Sequence, residues 1–153
     1  MMRRLFVAAA ISSAALAGFG IGAAYVNAQS GAAEGVPAYH ANPPNAPLPA
    51  TLDPTLFPDA QTQNIYALAA KEKAVLYQQP CYCHCDKHAG HKSLLDCYVD
   101  RHASVCDVCK KEAVYAYHQS KLGKTPTQIR AAIIQGKWKD ADLSKYDSPA
   151  AVK

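Results

Sequence analysis

Chemistry in this chain is concentrated between Pro80 and Cys109. The run Pro80, Cys81, Tyr82, Cys83, His84, Cys85 is followed by His88, His91, Cys97, His102, Cys106 and Cys109. Ten of these twelve residues carry a sulfur or an imidazole nitrogen able to bind a soft metal ion. In an extended stretch alternate residues point to one side, so Cys81, Cys83 and Cys85 are expected to present three sulfurs to a common point. Thiolates so spaced are suited to chelation. They pair poorly with one another, because a disulfide across one intervening residue closes a strained ring. Cys106 and Cys109, three apart, are neighbours on one helix face, where they add two sulfurs to a metal or form a redox pair near the helix N-terminus. Small Ala113 and Ala116 continue that face and let another segment approach closely.

The histidines differ in promise. His91, in the stretch Gly90, His91, Lys92, Ser93 ahead of a short helix, is placed with the ligands or at the start of that helix. His84 is expected to point away from its flanking cysteines. His88 and His102 read as loop residues, His118 as a solvent-facing helix residue and His40 as an exposed one. The candidate metal ligands are therefore Cys81, Cys83, Cys85, Cys97, Cys106, Cys109 and His91, with a copper or zinc ion as the expected cofactor. Tyr82, Tyr98, Tyr115 and Tyr117 read as edges of the core. Three readings stay open: a soft-metal site binding Cu(I) or Zn(II), which is preferred, a thiol–disulfide redox protein, and a small scaffold stapled by disulfides. Lys110 follows Cys109 where a c-type haem attachment needs His, and neither a HExxH nor a GxSxG pattern occurs. No catalytic residue is assigned, and a binding protein is favoured over an enzyme.

The elements that must position these groups read as helices. Ile65, Leu68, Ala69 and Leu76 recur at helical spacing, which predicts a first helix over 62–78, stopped by Pro80. Residues 81–90 show no periodicity and read as a loop, and 93–99 as a short helix. A long helix is expected over 104–122, capped by Ser104 and ended by Gly123. Lys110 is expected to face water. Thr125, Pro126, Thr127 and Gln128 spell a capping box with proline at the first helical position, opening a helix over 126–135. Trp138 is expected to close the core. No segment alternates as a strand would, so the fold class is all-α, a small bundle of about three main helices with an irregular Cys-rich loop.

Around this domain lie less structured segments. Met1 to Arg4 are basic, Leu5 to Tyr25 apolar, and Val26, Asn27, Ala28 form a small-x-small cleavage pattern, so residues 1–28 read as a signal peptide or, uncleaved, an N-terminal anchor. The expected location is periplasmic or secreted, or anchored in the inner membrane facing outward. The 29–58 segment holds seven of the ten prolines and reads as a disordered linker. The Cys-rich domain is expected over 59–139 and a tail over 140–153. A domain of this size is too small for a multidomain enzyme or a dinucleotide-binding fold. The formal charge of +4 falls to +2 without Arg3 and Arg4, leaving 14 basic residues scattered among 12 acidic ones. That pattern excludes a nucleic-acid partner and leaves a metal ion, and a periplasmic redox or metal-transfer protein, as expected partners.

Taken in order, the run PCYCHC, then GHKSLLDC, then CDVC on a helix, resembles the exported bacterial proteins named for a PCYCGC or CYCxC motif, some of which are selenoproteins. The resemblance covers roughly residues 60 to 138. It implies thiol or selenol chemistry, since selenium is placed where a low-pKa nucleophile or soft ligand is useful, and it names no activity. Two departures stand out: His84 occupies the motif's glycine position, and no lipobox cysteine follows the apolar leader.

Overall fold

The structure, a computed structural model, describes residues 35–149. The leader over 1–28 lies outside the described residues. Six α-helices follow one another, and no strand occurs among the described residues. They are α1 (Ala60–Lys71), α2 (Lys73–Leu76), α3 (Cys85–His88), α4 (Asp96–Val99), α5 (Asp107–Lys121) and α6 (Pro126–Ile134). Three are long, as the helical periodicities require, and the fold is the expected all-α bundle. No helix among the described residues is long and apolar enough to cross a membrane.

Helix α5 is the spine. It packs on α1, on α6 and on the 3-10 turn Lys137–Asp140, burying its own Cys109, Ala113, Val114 and Ala116. From α1 the fully buried Ile65, Leu68 and Ala69 join this core, and from α6 Ile129 and Ile133 do so. Trp138 is 8% exposed and closes the core as expected. The capping box of α6 forms in full: Gln128 N–H donates to Thr125 Oγ1, and Thr125 N–H to Gln128 Oε1. Gly123, at φ 75°, ends α5 in the left-handed region.

Four expectations about the helices need correction. The first helix does not run to residue 78. It breaks at Glu72, a buried residue whose carboxylate accepts from Ser120 Oγ and lies 3.5 Å from Lys121 Nζ, so the break ties this end of α1 to the end of α5. Ser104 does not cap α5: residues His102–Val105 form a 3-10 turn in which Ser104 Oγ donates back to the Arg101 carbonyl, and Cys106 takes the N-cap position. Lys110 is only 7% exposed and does not face water: it lies near the start of α1, where its charge acts on the Asp59 carboxylate. Residues 85–88, read as loop, make the single turn α3.

The segment expected to be a disordered linker lies along the helical body from Gly35 onward. His40, expected to be exposed, is half-buried and stacks on Tyr77 with centroids 3.8 Å apart. Ala38 N–H donates to Asp86 Oδ2, Arg130 sits over the Tyr39 ring, and Leu52 N–H donates to the Tyr98 carbonyl. Proline removes backbone donors and stiffens the chain, but it leaves intervening side chains free to pack, and Leu48, Leu52 and Phe57 do so. The tail is also tied down. Tyr146 is buried, and Asn64 Nδ2 donates to the carbonyls of Tyr146 and Ser148.

Candidate metal centre

Local backbone geometry gathers the sulfurs. The Cys81–Cys85 run is not extended: His84 N–H donates to the Cys81 carbonyl, closing a turn, and His84 itself adopts φ 57°, ψ 32°. It is the single described non-glycine residue with positive φ. The left-handed region costs an L-residue about 1–2 kcal/mol, and histidine tolerates it better than most. This turn reverses the chain, so Cys83 faces α5 while Cys85 starts α3 and faces α4. Gly90, at φ 72°, then turns the chain back toward His91 and α4, which carries Cys97. Glu112, on α5 one turn beyond Cys109, accepts from the Tyr82 N–H at 2.9 Å and pins the turn to the helix. Tyr98 OH donates to the Cys109 carbonyl, fixing α4 against the same turn of α5.

The result is a continuous cluster of soft donors. Cys81 Sγ lies 3.3 Å from Cys83 Sγ and 3.4 Å from Cys109 Sγ, and the third edge of that triangle, Cys109 to Cys83, is 3.6 Å. Cys85 Sγ lies 3.4 Å from Cys97 Sγ. His102 Nε2 is 3.4 Å from Cys83 Sγ, and His91 Nδ1 is 3.3 Å from Cys97 Sγ. Three sets of four donors have all their ligand atoms within 4.8 Å of one another: Cys81, Cys83, Cys97, Cys109; Cys83, Cys85, Cys97, His102; and Cys83, His102, Cys106, Cys109. All six cysteines are free. A disulfide needs sulfurs about 2.05 Å apart, whereas a tetrahedral ion with metal–sulfur bonds of about 2.3 Å spaces them by about 3.8 Å. The observed separations are close to the second figure.

Burial grades the cluster. Cys81, Cys85, Cys97 and Cys109 are buried, while Cys83, Cys106 and His102 are half-buried and form its accessible edge. So many acidic groups at close range cannot all ionise in a low-dielectric site. The thiols divide accordingly. Donation from Cys109 and Cys81 holds Cys83 far below the ordinary thiol range. The same two neighbours bring Cys97 down to about 4. Donation from Cys109 lowers Cys106 to about 6, helped by backbone N–H groups at the α5 N-terminus. Cys81, Cys85 and Cys109 are pushed up in turn, Cys81 chiefly by Cys109, Cys85 by Cys81 and Cys109 by Cys106. Burial opposes charge on His91 and His102, but the adjoining sulfurs of Cys97 and Cys83 outweigh it and raise both imidazoles. His91 also reaches Asp100 Oδ2 with its other nitrogen, at 3.2 Å. A carboxylate on the far nitrogen is the arrangement that orients a metal-binding imidazole. Burial drives the Glu112 carboxyl well above its ordinary value.

Of the residues expected as ligands, all six cysteines come together, and His91 adjoins them through Cys97. The expected common point for Cys81, Cys83 and Cys85 does not form: Cys81 and Cys85 share no donor set. Alternation along a strand was the wrong geometry for a turn followed by a helix. His102, read as a loop residue, stands in two of the three sets. Its signal lay in position, four residues before Cys106 and just ahead of α5. Glu112 gave a similar signal as an acid on the face shared by Cys109, Ala113 and Ala116. His84 joins no set, and His118 is exposed with Nε2 3.1 Å from Tyr146 OH.

A small helical protein that lines one end of its spine helix with six free thiols and two imidazoles is a thiol-cluster protein. The family model for proteins of unknown function with a PCYCGC motif matches residues 44–151, and the chain belongs to that family. The match begins inside the proline-rich segment and runs into the tail, in keeping with the way both are tied to the body. No curated protein and no solved structure matches the chain.

Proposed function

We propose that this protein binds a soft metal ion outside the cytoplasm, Cu(I) ahead of Zn(II), and passes it to or receives it from a partner. The observation that carries the reading is the triangle of Cys81, Cys83 and Cys109 sulfurs, 3.3 to 3.6 Å apart and backed by Cys97. Thiolates select Cu(I) and Zn(II), and a trigonal set of sulfurs suits Cu(I) while the fourth completes a zinc tetrahedron. The half-buried edge at Cys83, His102 and Cys106 supplies the place where a metal-transfer partner's ligands exchange with the protein's own. Export is the role of the leader ending at Ala28; mass spectrometry of the protein from its source cell should find Gln29 at the N-terminus, and Met1 in the membrane fraction would instead make the leader an anchor.

The binding itself is tested by titrating the reduced full chain with Cu(I) and, separately, Zn(II) under anaerobic conditions. Trp138 is the single tryptophan, and its ring stacks with Tyr82 at 6.4 Å, inside the Cys81–Cys83 turn. Its fluorescence should change to a sharp end point with either ion, and Cu(I) should displace Zn(II). An unchanged signal together with no ion retained on gel filtration would contradict the reading.

One observation favours a redox protein as the second reading. Cys106 is accessible and lowered to about 6, whereas Cys109 is buried and raised, the division between an attacking and a resolving thiol. In that case Cys109→Ser should trap a partner on Cys106 as a mixed disulfide.

A further inference from the structure

We infer that the cluster holds at least two Cu(I) ions bridged by the Cys83 thiolate, rather than one ion in a single site. The inference rests on the metal-binding reading and goes beyond it in number and connectivity.

Three four-donor positions overlap here, and Cys83 belongs to all of them. Each position also has a sulfur that it shares with neither of the others: Cys81 in the first, Cys85 in the second, Cys106 in the third. An ion at any one position therefore leaves two of those sulfurs without a bond to it. A tetrahedral or trigonal ion takes at most four donors, while the cluster offers six sulfurs and the His102 imidazole within overlapping reach. The shared pairs are already placed for bridging: the first and second positions have Cys83 and Cys97 in common, and the first and third Cys83 and Cys109. Cys83 is half-buried, at the accessible edge of the cluster, with Cys81, Cys109 and His102 within 3.3 to 3.6 Å of its sulfur.

The test loads the reduced full chain anaerobically with excess Cu(I), removes weakly held ions by gel filtration, and counts those retained by native mass spectrometry. Two or more ions per chain are expected, with a copper–copper shell in X-ray absorption. Cys83→Ser should retain one ion at most. One ion per chain at saturation, or two without a copper–copper shell, would overturn the bridged cluster while leaving metal binding intact. No retained ion would overturn both. Should Cys83→Ser fold and keep the wild-type number, Cys83 is not the bridge; should it fail to fold, the wild-type count and the copper–copper shell still decide.

Discussion

His84 shows how one residue can be settled by backbone rather than by chemistry. It stands where the motif of its family has glycine, its φ is 57°, and its Nδ1 is buried without a hydrogen-bond partner. Restoring glycine removes left-handed strain and the orphaned nitrogen together. His84→Gly is expected to stabilise the metal-free protein by about 1 kcal/mol, less the entropy glycine returns to the unfolded chain. Thermal denaturation checks this, with metal stoichiometry unchanged; a lost ion would make His84 a ligand instead. His102 calls for the opposite expectation. His102→Ala should weaken Cu(I) binding by about tenfold or more, whereas exposed His88, which joins no donor set, should tolerate the same change. Competition against a Cu(I) chelator reads both. Spacing in the sequence was enough to nominate the six cysteines, since sulfur at such density has few other uses. For His102 the spacing ahead of Cys106 was a weak signal, because that position gains its meaning only when the chain folds back on Cys83.

At the scale of elements, the helices with the clearest local punctuation were the most legible. Thr125 to Gln128 and Gly123 are short-range devices, and they act as their spacing requires. The break at Glu72 depends on partners far along the chain, Ser120 and Lys121, and the late start of α5 on the 3-10 turn His102–Val105 just before it, whose hydrogen bonds outcompete a Ser104 cap. The N-cap of α1 supplies a pH-dependent test. Burial is the largest single influence on Asp59 and opposes its ionisation, but the hydrogen bonds from Thr62 and the charge of Lys110 together outweigh it and hold the pKa below the ordinary value. A lowered folded-state pKa contributes stability that is present above the unfolded-state value and lost as pH falls through the folded one. Asp59→Ala is therefore expected to cost about 1 kcal/mol at neutral pH and progressively less as the solution is acidified below the carboxylate range. Chemical denaturation at two pH values measures it, and a cost that does not shrink in acid would contradict the assignment. The accessible edge gives a second test: in the reduced, metal-free protein half-buried Cys83 and Cys106, both lowered, should be alkylated ahead of the four buried thiols, as peptide mapping after a brief reagent pulse would reveal.

The whole molecule is a small core extended by its flanks and completed by its thiols. The proline-rich strap covers Tyr77, Asp86 and Tyr98 from outside, and the tail holds Asn64 of α1. Neither was legible, because proline content reports stiffness and not where a stiff segment lies. The run from the 81–84 turn through α3, then α4, then the start of α5 bring their sulfurs together in one cluster, so an ion there should act as a cross-link between them and its binding should add to folding stability. Metal binding is tested most directly by metal content and free thiol count on one sample, the protein isolated from an exporting host without reductant. Copper or zinc at one equivalent or more, with the thiols shielded from reagent until a chelator is added, is the expected result. A metal-free protein with all six cysteines oxidised in pairs would contradict it.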